Sequence, residues 1–176
     1  DFYTADIFAQ GGANWLSVGI LYDSEGNDVY NAYQYAQGSA LHLASGVLID
    51  QFGDDVYMSH GTSQGCGDDL SIGYLNDRAG DDNYVVWDLS QGSGNANGIG
   101  VLIDEGNFSD WASPGSLCNS QSLTTWRKEF GSIGIFLDLG GIDSYNGKGK
   151  DNSFWIFSTY GIGIDFQENH GLKSSQ

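Results

Sequence analysis

The stretch Gly46-Val-Leu-Ile-Asp50-Gln-Phe-Gly53-Asp54-Asp55-Val-Tyr57 decides the fold, because close copies flank it at a fixed interval. Gly19-Ile-Leu-Tyr-Asp23-Ser-Glu-Gly26-Asn27-Asp28-Val-Tyr30 precedes it and Gly73-Tyr-Leu-Asn-Asp77-Arg-Ala-Gly80-Asp81-Asp82-Asn-Tyr84 follows it, each 27 residues away. Gly100-Val-Leu-Ile-Asp104 keeps the interval, Gly134-Ile-Phe-Leu-Asp138 arrives 34 residues later, and Gly161-Ile-Gly-Ile-Asp165 returns to 27. A seven-residue insertion therefore lies inside the fourth unit.

A period of this size in three or more copies marks a solenoid or a propeller. A propeller blade of four antiparallel strands usually needs about 40 residues, and a β-roll of paired nonapeptides repeats its Gly-x-Asp about every nine. Neither fits one acidic turn per 27 residues. The spacing predicts an all-β, right-handed parallel β-helix with three short strands per coil. It forms a single domain over residues 1–176, with an inserted loop at about 105–130.

The first strand of each coil runs to the aspartate, as in Ser17-Val-Gly-Ile-Leu-Tyr-Asp23. These runs are apolar on both faces, which predicts strands buried on both sides, with the insertion or a partner covering the outside. Asp23-x-x-Gly26-Asn27-Asp28 reads as a turn, since aspartate bonds its own downstream amides and glycine supplies positive φ. A short second strand follows at Val29-Tyr30, and a third is expected around Tyr35-Ala-Gln37-Gly38-Ser-Ala. Stacking coils about 4.8 Å apart puts equivalent residues over one another. The expected columns are Leu21, Leu48, Leu75, Leu102 and Phe136; Tyr30, Tyr57, Tyr84, Trp111 and Tyr145; and an amide ladder of Gln10, Gln37, Gln64 and Gln91.

Composition narrows function. The net charge of −17 is concentrated in residues 1–125, where 17 acidic groups face Arg78 alone. Such a surface repels nucleic acid and attracts cations. No run approaches the 18 or so apolar residues that a membrane span needs. Cys66 and Cys118 fall roughly two coils, about 10 Å, apart and read as free or buried thiols. The chain starts at Asp1, already in repeat register, and reads as a mature form or an excised piece of a longer array.

The acidic corner carries the main chemical signal. Asp28, Asp50, Asp54, Asp55, Asp77, Asp81 and Asp82 fall at adjacent levels with only Arg78 near them in sequence. Two unit charges near 5 Å apart cost about 3 kcal/mol at an effective dielectric of 20, so the repulsion must be relieved. Turn amides, raised carboxylate pKa values or a bound cation would each do so, and calcium suits an all-oxygen site. Two readings stand side by side: aspartates that only form turns, and aspartates that also hold calcium.

The Gly-[Asn/Asp]-Asp-x-Tyr segments at Gly26, Gly53 and Gly80 resemble half of the calcium-binding nonapeptide of the repeats-in-toxin family. The wider pattern, from residue 10 to residue 165, resembles right-handed β-helix and β-solenoid repeats of secreted or cell-surface bacterial proteins. This resemblance implies a secreted or cell-surface location, and calcium held between successive turns.

The insertion offers Trp111 and Trp126 as flat faces for a carbohydrate or peptide, with Arg127 and Lys128 as local positive charge, unless it serves only as a flap over the core. His42, His60 and His170 match no catalytic pattern. The function expected is an extracellular structural or interaction module, stabilised by calcium. Two alternatives accompany it: a polysaccharide-acting lyase or glycoside hydrolase, and a component that self-assembles with flanking repeats or copies of itself.

Overall fold

The computed structural model describes residues 1–112, 120–121, 131–146, 149–157 and 160–166. Among these residues the chain is all strand and turn, wound as a β-solenoid of about five coils with three parallel sheets along its length.

One sheet contains β1 (Phe2–Thr4), β4 (Val29–Asn31), β7 (Val56–Ser59), β10 (Asp81–Val86) and β13 (Asn107–Ala112) in that order. A second stacks the two-residue strands β2 (Ala13–Asn14), β5 (Ala40–Leu41), β8 (Gly67–Asp68), β11 (Gly94–Asn95) and β14 (Ser120–Gln121). The third holds β3 (Val18–Tyr22), β6 (Ser45–Asp50), β9 (Ile72–Asp77), β12 (Ile99–Asp104), β15 (Ile133–Asp138) and β17 (Gly161–Asp165). It ends on β16 (Phe154–Phe157), which pairs antiparallel with β17.

Backbone register follows the repeat. Tyr3, Tyr30, Tyr57 and Tyr84 pair in sequence, as do Gly46, Gly73, Gly100, Gly134 and Gly161. The four tyrosine rings stack at 4.8 Å, and Leu48, Leu75, Leu102 and Phe136 fill the neighbouring column without exposure. The glycine column has a steric cause. A Cβ on Gly46 would stand 2.0 Å from the Ser39 carbonyl oxygen, and one on Gly73 2.1 Å from that of Cys66. Two backbones meet there across the narrow end of the coil, and only hydrogen fits between them.

Four local expectations are corrected. The third strand lies at Ala40–Leu41, not around Gln37. Gln37 has φ 52° and Gly38 φ 73°, so this pair turns a corner in the left-handed region. A glutamine there costs about 1–2 kcal/mol, and its side chain offsets the cost by holding the corner. Gln37 Nε2 donates to the carbonyls of Tyr30 at 2.8 Å and Met58 at 2.9 Å. The glutamines therefore clamp backbone carbonyls, one in their own coil and one in the next, instead of forming an amide-to-amide ladder.

The long strands bury one face only. Gly46, Leu48 and Asp50 point inward, whereas Val18, Ile20 and Tyr22 on the outer face of β3 are exposed. Continuous apolar sequence misled here because the outer face is apolar while facing water.

Trp111 does not join the aromatic column. The turn after Asp104 is one residue shorter than the turn after Asp77, so Asp81 pairs with Asn107, Asp82 with Phe108 and Val85 with Trp111. The ring of Phe108, fully enclosed, stacks on Tyr84 at 4.7 Å in place of the expected tryptophan.

The insertion is also localised by register. Asn95 pairs with Gln121, an offset of 26, whereas Ile99 pairs with Ile133, an offset of 34. The extra residues therefore fall between Gln121 and Ile133. Trp126, Arg127 and Lys128 lie outside the described residues, as do Cys118 and His170. Cys66 is a free, buried thiol.

Candidate metal centre

The corner between the long strands and the tyrosine strands is lined by two columns of aspartate. The first ends each long strand: Asp23, Asp50, Asp77, Asp104, Asp138 and Asp165. The second is one turn further on, at Asp28, Asp55 and Asp82, and resumes at Asp143. All except Asp143 are at or below 9% exposure.

Tyrosine positions the first column. The hydroxyl of Tyr30 donates to Asp50 Oδ2 at 2.5 Å, that of Tyr57 to Asp77 Oδ2 at 2.7 Å, and that of Tyr84 to Asp104 Oδ2 at 2.8 Å. Tyr3 and Tyr145 treat Asp23 and Asp165 alike. Each bond runs from one coil to the next, so the aromatic stack and the carboxylate column hold each other in register. Turn amides engage the second oxygen of several of these groups, as with Ala79 N on Asp77 Oδ1 at 3.3 Å and Gly106 N on Asp104 Oδ1 at 3.0 Å. The turn-forming role read from sequence is thus present.

The second column is tied to the backbone. Asp55 Oδ1 accepts the amide of Asp28 at 2.6 Å, and Asp82 Oδ1 that of Asp55 at 2.8 Å. Their remaining oxygens, Asp28 Oδ2, Asp55 Oδ2 and Asp82 Oδ2, are buried without a hydrogen-bond partner, as is Asp50 Oδ1 of the first column. A buried acceptor without a donor costs about 1–3 kcal/mol, more when charged.

The carboxylates of the two columns converge. Asp28, Asp50 and Asp55 bring one carboxylate oxygen each within 4.8 Å of the others, and Asp55, Asp77 and Asp82 do the same one coil on. Asp138, Asp143 and Asp165 make a comparable group near the far end, with Asp138 Oδ1 and Asp143 Oδ2 unpartnered. Arg78 does not neutralise any of them; its Nη1 donates to Gln51 Oε1 at 3.0 Å on the surface.

Burial therefore dominates the acid–base behaviour. It pushes the carboxyls of Asp50, Asp55, Asp77 and Asp82 above the usual range, with neighbouring carboxylates adding to the shift. Burial also raises Asp104 and Asp143 to about 7 and Asp138 to about 9. Asp23 shows the opposite balance. Burial pushes it up, but the Tyr3 hydroxyl and turn amides outweigh that, and its pKa is lowered.

Of the residues that sequence pointed to, Asp28, Asp50, Asp55, Asp77 and Asp82 meet in this corner. Asp54 and Asp81 are exposed and lie outside the groups; Asp54 Oδ1 accepts the Asp81 amide at 3.1 Å, and Asn27 Nδ2 donates to Asp54 Oδ2 at 3.3 Å. Asp138, Asp143 and Asp165 were missed, although their repeat positions match those of Asp50 and Asp55. His42 stacks on Trp15 and contacts Asn14 and Asp69, and His60 stacks on the exposed Tyr33, so neither histidine reaches the corner. Asn107, which opens an Asn-Phe-Ser sequence of the kind that accepts N-linked glycans, has its side chain engaged by Asp81 and by the Ile142 amide.

Among the described residues, no helix is long and apolar enough to cross a membrane. Comparison of the chain with protein-family models, with curated proteins and with solved structures found no match, so the reading of this site rests on its own geometry.

Proposed function

We propose that the chain is a rigid structural or interaction module of a secreted or cell-surface protein, with flanking repeats, copies of itself or carbohydrate as its partners. One observation carries this reading. The inward residues are nearly invariant from coil to coil, whereas the outward residue at one surface position changes from Tyr33 to His60 to Trp87. The fold is held by the repeated set, and the surface is left to vary. Tyr33 is 52% and Trp87 57% exposed, and flat aromatic faces of this kind suit stacking on a sugar. The edges of β1, β2 and β3 offer unpaired strands to a further coil. The resemblance of the acidic turns to a secreted calcium-binding repeat supports the extracellular setting.

The enzyme alternative loses support at the corner, because Asp50, Asp55, Asp77 and Asp82 have no exposure and a glycan cannot reach them. The test is a panel of soluble polysaccharides scored for both retention and cleavage. The module reading expects retention without cleavage, reduced by Trp87→Ala. Release of product that Asp54→Asn or Asp81→Asn abolishes would overturn it in favour of a polysaccharide-acting enzyme. Neither retention nor cleavage would remove carbohydrate from the partners.

A further inference from the structure

We infer that the buried aspartates of the corner hold a file of divalent cations, calcium being the best fit. One ion lies among Asp28, Asp50 and Asp55, a second among Asp55, Asp77 and Asp82, and a third among Asp138, Asp143 and Asp165. The inference does not rest on the module reading, since a solenoid with no partner would still bind the ions.

Clustered carboxylates alone would not suffice, because turn formation explains exposed ones such as Asp54 and Asp81. The buried set differs in two respects. Asp50, Asp55, Asp77 and Asp82 have no solvent exposure and Asp28 has 1%, so water does not spread their charge. Within each group at least two oxygens accept no hydrogen bond, and they belong to carboxylates aimed at one another. Tyrosine hydroxyls and backbone amides hold one oxygen of Asp50, Asp55 and Asp82 and leave the other without a donor, whereas both oxygens of Asp77 accept a hydrogen bond.

Ligand chemistry selects among cations. Two oxygens on opposite sides of a calcium ion are separated by about 4.6–5.2 Å, twice the usual calcium–oxygen distance, whereas the corresponding span for magnesium is about 4.0–4.2 Å. The oxygens of each group lie within 4.8 Å of one another, close enough for one ion to touch all three. Calcium also takes six to eight oxygens and tolerates irregular geometry, so three carboxylates completed by water are an adequate set. Two divalent ions would neutralise four of the five grouped carboxylates Asp28, Asp50, Asp55, Asp77 and Asp82.

The file has two limits. At the first coil, Asp1, Asp23 and Asp28 also converge, but Asp1 is exposed and both oxygens of Asp23 accept hydrogen bonds, so no ion is assigned there. In the fourth coil Phe108 takes the second-column place between Asp82 and Asp143, and its ring fills the corner. Asp104 therefore has no second-column carboxylate at its level and belongs to none of the convergent groups, and its two oxygens accept from Tyr84 and Gly106.

The test uses the whole chain stripped with a chelator and titrated with calcium chloride near neutral pH, with binding heat and unfolding temperature as readouts. Binding should raise the unfolding temperature by about 5–10 °C at saturating calcium, with a smaller rise for magnesium. Asp55→Asn, which touches two sites, should weaken binding at least about tenfold, while Asp54→Asn leaves it unchanged. Should Asp55→Asn fail to fold, the native protein still decides. Terbium emission excited through Tyr57, whose hydroxyl lies on Asp77 Oδ2, should appear and be quenched by calcium. No heat, no rise in unfolding temperature and no tyrosine-excited emission would overturn the inference, as would equal losses for the Asp54 and Asp55 variants.

Discussion

The corner at Asp55 and Asp82 and the same corner at Phe108 are built on one backbone plan, yet they solve the burial problem in opposite ways. At Asp55 and Asp82 the coil carries carboxylates inside, fixed by tyrosine hydroxyls and amides but with inner oxygens unanswered. At Phe108 a ring stacks on Tyr84 at 4.7 Å and packs edge-on against Phe136 at 4.9 Å, and the remaining carboxylate, Asp104, is fully hydrogen-bonded. The difference teaches that the fold does not require acid in the second column. An apolar residue closes the coil there, so the acidic version needs a further reason, and a bound cation supplies one.

The largest expected effect comes from making the second corner resemble the first. Phe108→Asp removes a buried ring and adds a carboxylate beside Asp82 and Asp104, and should cost about 3–5 kcal/mol in chelator. Calcium should restore part of this through one additional bound ion, read from urea unfolding with and without chelator. If the variant gained no more from calcium than the native chain, the two corners would not differ in the way described.

The metal-free chain should also depend on pH in a direction opposite to most proteins. Asp104 and Asp143 are raised by burial to about 7 and Asp138 to about 9, against an ordinary value of 3.8. The folded state therefore binds their protons more tightly than the unfolded state does. Their contribution is fully present below the ordinary value and is lost as pH rises through 7 to 9, a loss on the order of 3 kcal/mol for each group between pH 5 and pH 8. Calcium should flatten that profile by replacing the protons at the grouped carboxylates. A metal-free protein equally stable at both pH values would contradict the electrostatic account.

A smaller effect separates neighbouring tyrosines. Tyr57→Phe and Tyr84→Phe each strip one donor from a buried carboxylate, at about 1–3 kcal/mol. In calcium the loss at Tyr57 should shrink, because Asp77 belongs to an ion group, while the loss at Tyr84 persists, because Asp104 does not. Equal losses with and without calcium would erase the distinction. Asp54→Asn, exposed and outside both groups, should change stability by no more than about 0.5 kcal/mol.

Much of this was legible from spacing. A repeat of 27 predicts stacking of identical residues, and from stacking follow the leucine, tyrosine and aspartate columns, since a solenoid places equivalent positions over one another. What escaped depended on single-residue turn length and on backbone handedness. The one-residue contraction after Asp104 moves Trp111 out of the tyrosine column and Phe108 into the aspartate column, a shift that a fixed period hides. The left-handed corner at Gln37-Gly38 looked like strand because glutamine seldom takes positive φ; the clamp onto two carbonyls that stabilises it connects residues 7 and 21 positions away. The split between buried Asp55 and exposed Asp54 follows from alternation along the turn, which the doubled Asp-Asp pair obscured. The outer face of the long sheet was read as covered because its residues are apolar, and apolar sequence alone does not say which face meets water.

The most direct measurement is a crystal structure of the calcium-loaded protein with an anomalous difference map. The account predicts tyrosine rings stacked one coil apart, with calcium peaks among Asp28, Asp50 and Asp55, among Asp55, Asp77 and Asp82, and among Asp138, Asp143 and Asp165, and no peak beside Phe108. Stacked rings with no anomalous density at the aspartates, or Tyr57 and Tyr84 found on separate sheets, would contradict it.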